Sequence, residues 1–365
     1  MLACILLARL QPAGAGVQLG EAKPALKVNL QAALYSTAYR QHLEVALCQF
    51  AEFLGGSDLP PLCQLVRKPD RLARALAAYV QYLYDKGAPQ QRATHAILAV
   101  QRRWPHCRRR LTLAWESITS WRLQMPSQPR RPISKGIMEA VVAVIWARAF
   151  RAGGHEATRL WVAGALIWLA FETLLRPGEM LGLRPRHLNF GRKLGLGPPV
   201  LVLTIENPKN KRFMGRRQFV VAYDVRLIEW VMWILDSLKR NDVLLMGGRA
   251  AIVRIWCQAL DLLGIPTSMF TLGSLRTGGA TEHFLVHANF ARLQYLGRWR
   301  NPHTLEHYLQ EAVSALSDIS LPQTTTARID AARGIFTSIP GPPPSPWWTL
   351  GSRRGRSWTI VEESS

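Results

Sequence analysis

Between Phe270 and Gln310 the chain carries a lone arginine, an arginine-tryptophan cluster and a tyrosine whose types suit chemistry on a phosphodiester. Ser274-Leu275-Arg276 is followed by the small-residue run Gly278-Gly279-Ala280-Thr281, then by Gly297-Arg298-Trp299-Arg300, and Tyr308 stands nine residues after Trp299. An arginine fork matches two phosphate oxygens at once, and a tyrosine hydroxyl forms a covalent intermediate where its surroundings favour the phenolate. Earlier in the chain, Arg176 is followed three residues on by Glu179, a carboxylate placed to fix the arginine's rotamer, and Asn207-Pro208-Lys209-Asn210-Lys211-Arg212 sets lysines on a turn. Lysine suits protonation of a leaving oxygen because its pKa falls readily in a cationic, partly desolvated site. Phosphodiester exchange needs a nucleophile, cations over the non-bridging oxygens and an acid for the leaving group, and its barrier is lowered chiefly by positioning and electrostatics. The sequence has no GxxxxGK[ST] loop for a triphosphate and no clustered acidic residues for a two-metal site.

Composition agrees with a polyanionic partner. Lys and Arg outnumber Asp and Glu by 46 to 24 in 365 residues, a formal charge of +22, and the excess is spread over both 1–135 and 136–322. An apolar content of 48% is enough for two cores. The five cysteines, Cys4, Cys48, Cys63, Cys107 and Cys257, form no C-x-x-C pair, which argues against a disulfide framework or a zinc site and for a reducing compartment. The apolar run from Leu160 to Phe171 is too short to span a membrane, and the apolar start at Met1 lacks the basic flank of a signal peptide, so no membrane partner is expected.

The elements that must position these groups are mostly helices. Leu43, Leu47 and Phe50 share a helical face that Gly55-Gly56 and Pro60-Pro61 close, and further helices are expected over 70–86, from Pro89 to Trp104, and through Leu113, Trp115, Ile118 and Trp121 after Arg108-Arg109-Arg110. Residues 1–35 read as a poorly ordered arm, 39–125 as a helical domain and 126–135, with Arg130 and Arg131 among its prolines, as a stiff basic linker. In 136–322, helices are expected over 137–152 and 160–175, the second ending at Arg176, then a hairpin of 200–205 against 217–221, then helices over 224–238, 249–263 and the Phe270–Gln310 stretch. Residues 323–365, rich in Pro, Ser and Gly, read as a flexible tail, with Trp347-Trp348 as an exception able to dock. The fold class is therefore mainly α with a small antiparallel β-sheet.

The order Leu275-Arg276, Gly297-Arg298-Trp299, Tyr308 resembles the C-terminal signature of the tyrosine recombinase (phage integrase) family, in the forms carried by eukaryotic mobile elements. The resemblance implies that 39–125 is a core-binding domain clamping double-stranded DNA and 136–322 the catalytic domain. It implies a tetramer on paired sites, no cofactor, and a place in the nucleus of a eukaryote or otherwise in the cytoplasm. It also implies roles: Tyr308 as nucleophile, Arg176 and Arg276 as phosphate clamps, Glu179 in support, Lys209 as the acid with Lys211 the alternative across the turn, and Trp299 as a donor to phosphate. Arg108, Arg109, Arg110, Arg130, Arg131, Lys211, Arg212, Arg298 and Arg300 are the expected DNA contacts. The family pattern His-x-x-Arg is broken here, because the residue three before Arg276 is Gly273. Thr271, His303 and His307 lie nearby in sequence. Two other readings stay open: a DNA-binding remnant without catalysis, motivated by Gly273, and a type IB topoisomerase-like activity, which uses a similar Arg, Lys and Tyr set.

Overall fold

The structure, a computed structural model, describes residues 35–126, 130–192, 197–206, 208–209, 215, 217–236, 238–317, 320–339 and 341–342, with the side chains of 192, 307–308, 310–311 and 314–317 excepted. The expected arm up to residue 34, Lys211, Arg212, Trp347-Trp348 and the end of the chain lie outside these residues. The chain divides into two compact units, Met1–Ser127 and Gln128–Ser365.

In the first unit Ser36 caps α1 (Thr37–Gly55), accepting from the Tyr39 N–H, and the helix stops at Gly56. The short α2 (Leu62–Leu65) leads into α3 (Pro69–Asp85), α4 (Gln90–Arg103) and α5 (Thr112–Gln124). Their apolar faces enclose one core that includes Phe50, Leu72, Leu76, Ile97 and Ile118. Arg108, Arg109 and Arg110 are exposed on the connection before α5.

The second unit opens with α6 (Lys135–Arg151) packed along the apolar α7 (Gly154–Glu172). The short α8 (Pro177–Leu181) follows, then β1 (Leu188–Arg192), β2 (Pro199–Ile205) and β3 (Gln218–Ala222), antiparallel in the order β1-β2-β3. Leu188 faces Leu203 and Ile205 faces Gln218 in the ladder, so the sequence-based hairpin is present and a third strand, β1, joins it. Asp224 caps α9 (Val225–Leu235), and α10 (Gly248–Leu263), α11 (Leu272–His287), α12 (Phe290–Gly297) and α13 (Pro302–Ser317) follow. Trp146 stacks on Trp230 with centroids 4.1 Å apart and donates to the Trp161 carbonyl, and Gly164 leaves the room, since a Cβ there would lie 2.3 Å from Trp146 Nε1.

Two expectations are corrected. Residues 323–338 form no flexible tail but a helix, α14 (Gln323–Ser338), which packs on α6 and buries Ile329, Ala332 and Phe336. Phe336 meets Trp168 edge-on, and the Arg226 guanidinium donates to the Phe336 carbonyl. The Pro-rich composition lies beyond the helix, whose apolar residues recur at helical spacing. Nor is all of 126–135 a linker: Pro132 and Ile133 are buried, and the Ile133 N–H donates to the Ser274 carbonyl at 3.4 Å. Among the described residues no helix is long and apolar enough to cross a membrane.

Phe336→Ala removes a fully packed ring from this core, and a loss of about 3–5 kcal/mol is expected in a denaturant titration. A variant as stable as the parent would show that α14 is not part of the core.

Candidate active site

The site begins where α7 ends. Thr173 closes the helix, Leu174 adopts a left-handed conformation (φ 54°), and the Leu175 N–H returns to the Ala170 carbonyl, a helix-ending loop that normally takes glycine. The left-handed form disfavours a leucine by about 1–2 kcal/mol. Two guanidinium groups collect on the carbonyl that this turn presents. Arg276 Nη1 donates to it, and Arg298 Nη2 donates to it at 3.1 Å.

Arg276 reaches this point because α11 lies hard against the end of α7. A Cβ on Gly279 would stand 2.2 Å from the Phe171 carbonyl oxygen, and one on Gly278 would stand 1.9 Å from that of Ile133. The small-residue run is thus a close-packing surface that brings Arg276 inward. Arg276 is 8% exposed, and its Nη2 donates to the Gly297 carbonyl, so both ends of the fork are oriented by backbone oxygens.

The Gly-Arg-Trp segment has a separate reason at each residue. The Trp299 ring lies over Gly297, where a Cβ would be 1.4 Å from its Cζ3, and carries the Arg276 guanidinium 4.3 Å from its centroid. Arg298, left-handed at φ 56°, turns inward and donates to Glu179 Oε2 at 3.0 Å. Expected as a DNA contact, Arg298 is instead 4% exposed and committed to this interior pair, whereas Arg300, Arg130 and Arg131 are on the surface.

Glu179 joins the two halves. Arg176 precedes α8 as its cap rather than ending α7, and Glu179 takes its backbone N–H at 3.0 Å and its Nη1 at 2.7 Å. Burial alone would raise the Glu179 carboxyl, but Arg298, together with the backbone and side chain of Arg176, outweighs it and holds the group below its ordinary value. Burial likewise lowers Arg298, against the pull of Glu179.

The helix of Tyr308, α13, buries Leu305 and Leu309 in a small core that also holds Leu174, Ala280 and Leu293, with Trp299 packed against it. Residue 308 therefore lies beside the buried stripe of a helix seated on the same cluster as the arginines, while its side chain is outside the described set. Lys209 is exposed between β2 and β3. Of the groups near Gly273 in sequence, Thr271 is spent as the α11 cap, His303 is exposed, and the His307 side chain is not described. Among the described residues no cluster of three His, Cys, Asp or Glu could hold a metal.

No protein-family model matches the sequence, and no curated protein does. Among solved structures the chain is similar to the XerH site-specific recombinase bound to palindromic difH substrate in a post-cleavage complex, at 14% identity and TM-score 0.47, covering 76% of this chain and 78% of that one. It is similar to the Tn1549 transposon integrase in complex with transposon right end DNA, at 12% identity and TM-score 0.45, over 84% and 94% of the two chains. The XerA recombinase is similar at 14% identity and TM-score 0.37, over 82% and 93%.

Glu179→Ala leaves Arg298 buried without its carboxylate, and a loss of about 3–5 kcal/mol is expected in chemical unfolding. Because the folded carboxyl titrates lower than in the unfolded chain, its contribution is complete above the ordinary carboxylate range and is lost as pH falls through the folded value. Thermal melts of Glu179→Gln should accordingly lose less stability on acidification than the parent; equal slopes would remove Glu179 from this role.

Proposed function

We propose that the chain cleaves and rejoins DNA strands through a 3′-phosphotyrosine at Tyr308, as its sequence resemblance to the tyrosine recombinases implies. The observation that carries the reading is the convergence of Arg276 and Arg298 on the Leu174 carbonyl and of Arg298 and Arg176 on the Glu179 carboxylate, with the Trp299 ring under Arg276, beside the core that seats the Tyr308 helix. In this reaction the Tyr308 oxygen bonds to phosphorus as its proton passes to water, the bond from phosphorus to the 5′ oxygen breaks, and Lys209 supplies the proton to that oxygen. Arg176 and Arg276 spread the developing charge over the non-bridging oxygens, and the Trp299 indole N–H donates to one of them. A 5′ hydroxyl from a second strand reverses the sequence, so the bond energy is conserved without a nucleotide. Paired DNA sites would be held by four copies, with the basic surface at Arg108, Arg109 and Arg110 on the duplex. The exposure of that run and the net charge of +22 support a duplex partner.

A second reading, salt-sensitive DNA binding without cleavage, is favoured by Gly273, since glycine brings no side-chain donor to the phosphate. Incubation with nicked suicide duplexes separates the two. The parent should yield an adduct that survives denaturation, and Tyr308→Phe and Arg276→Ala should lower it by about 100-fold or more. Binding with no adduct on a randomised duplex pool would establish the second reading instead, and relaxation of plasmid lacking any target site would favour a topoisomerase-like activity.

A further inference from the structure

The segment 130–134 runs along the start of α11 and is fastened there. Ile133 is fully buried, donates its N–H to the Ser274 carbonyl, and lies so close to Gly278 that only a glycine fits beneath it. Three residues back, the same register brings Arg130 over Gly273. A Cβ at position 273 would stand 2.6 Å from Arg130 Nη1 and 3.2 Å from its Cδ and Cζ. The guanidinium thus occupies the volume into which a side chain at 273 would project.

From this geometry we propose that Arg130 is a further phosphate-binding residue of the same site, acting from the place of the missing side chain; the proposal rests on the phosphotyrosine reading above. Arg130, Arg249, Thr271 and Gly273 line a 470 Å³ cavity with Pro177 and Gly178, the residues that directly follow Arg176, so Arg130 borders the same space as the start of α8. No acidic side chain is among the described residues lining it, which suits an anion. Arg130 is an exposed residue, within reach of a ligand from solvent. The exchange of group has a chemical consequence. A guanidinium keeps its charge throughout the working pH range and exchanges no proton there, so Arg130 holds an oxygen without serving as acid or base.

The test uses the full chain and nicked suicide duplexes, comparing the parent with Arg130→Ala, Arg130→Lys, and Arg130→Ala combined with Gly273→His. Arg130→Ala should form adduct about 100-fold more slowly than the parent, while its affinity for duplex DNA falls by less than about tenfold. Arg130→Lys keeps the charge but loses the fork, and an intermediate rate is expected. The double variant should recover at least about tenfold of the lost rate, and its rate relative to the parent should fall as pH rises through about 6.5, where an unperturbed imidazolium loses its proton. If the parent forms adduct and Arg130→Ala matches it within about threefold, the inference alone is overturned. Failure of the double variant to recover any rate also overturns it, because Arg130 would then be a DNA contact unrelated to position 273. Absence of adduct in the parent overturns the phosphotyrosine reading and this inference together.

Discussion

The site depends on one backbone carbonyl. Leu174 is forced into a left-handed turn at the end of a long apolar helix, and its oxygen then receives Arg276 from α11 and Arg298 from the turn after α12. The conformation is disfavoured for leucine, and two features sustain it: the side chain is buried in the small core with Leu305 and Leu309, and the oxygen takes charge-assisted hydrogen bonds. Remove the turn and the two arginines lose the group that sets the distance between them.

The same economy explains why charge is so deeply placed. Arg298 is an interior cation whose partner, Glu179, is also the residue that fixes Arg176. A buried ion pair of this kind adds little net stability, because desolvation offsets attraction, but it does fix geometry. The arrangement couples the segment after α7 to the segment after α12, so that the arginines proposed to hold phosphate are positioned before any substrate arrives. Trp299 contributes as a plate under Arg276, and Gly297 is needed because that plate lies directly on it.

Much of this frame was legible in the sequence. The helix through Leu43, Leu47 and Phe50 ends at its glycine pair, and the hairpin follows the β-branched run at Val200–Ile205. The i to i+3 spacing of Arg176 and Glu179 was a sufficient signal for their contact. The strand Leu188–Arg192 was not legible, since its Asn and Gly dilute the β pattern and its pairing with β2 supplies the stability. The helix at Gln323–Ser338 was hidden by the Pro-rich composition that follows it. At the site, residue types and order could be read, but three decisive facts are tertiary: the left-handed Leu174, the inward turn of Arg298, and Arg130 over Gly273. A left-handed leucine has no sequence signature, and an arginine beside a tryptophan reads equally well as a surface contact. Only the register set by Ile133 on α11 brings Arg130 to its place.

The most direct test of the central claim is the identity of the residue that carries DNA after cleavage. The trapped adduct, trimmed with nuclease and digested with trypsin, gives peptides that separate Tyr308 from the exposed Tyr295, because Arg298 and Arg300 lie between them. Mass spectrometry should find the nucleotide joined through its 3′ phosphate to Tyr308. A nucleotide on Tyr295 or on any other residue would contradict the account.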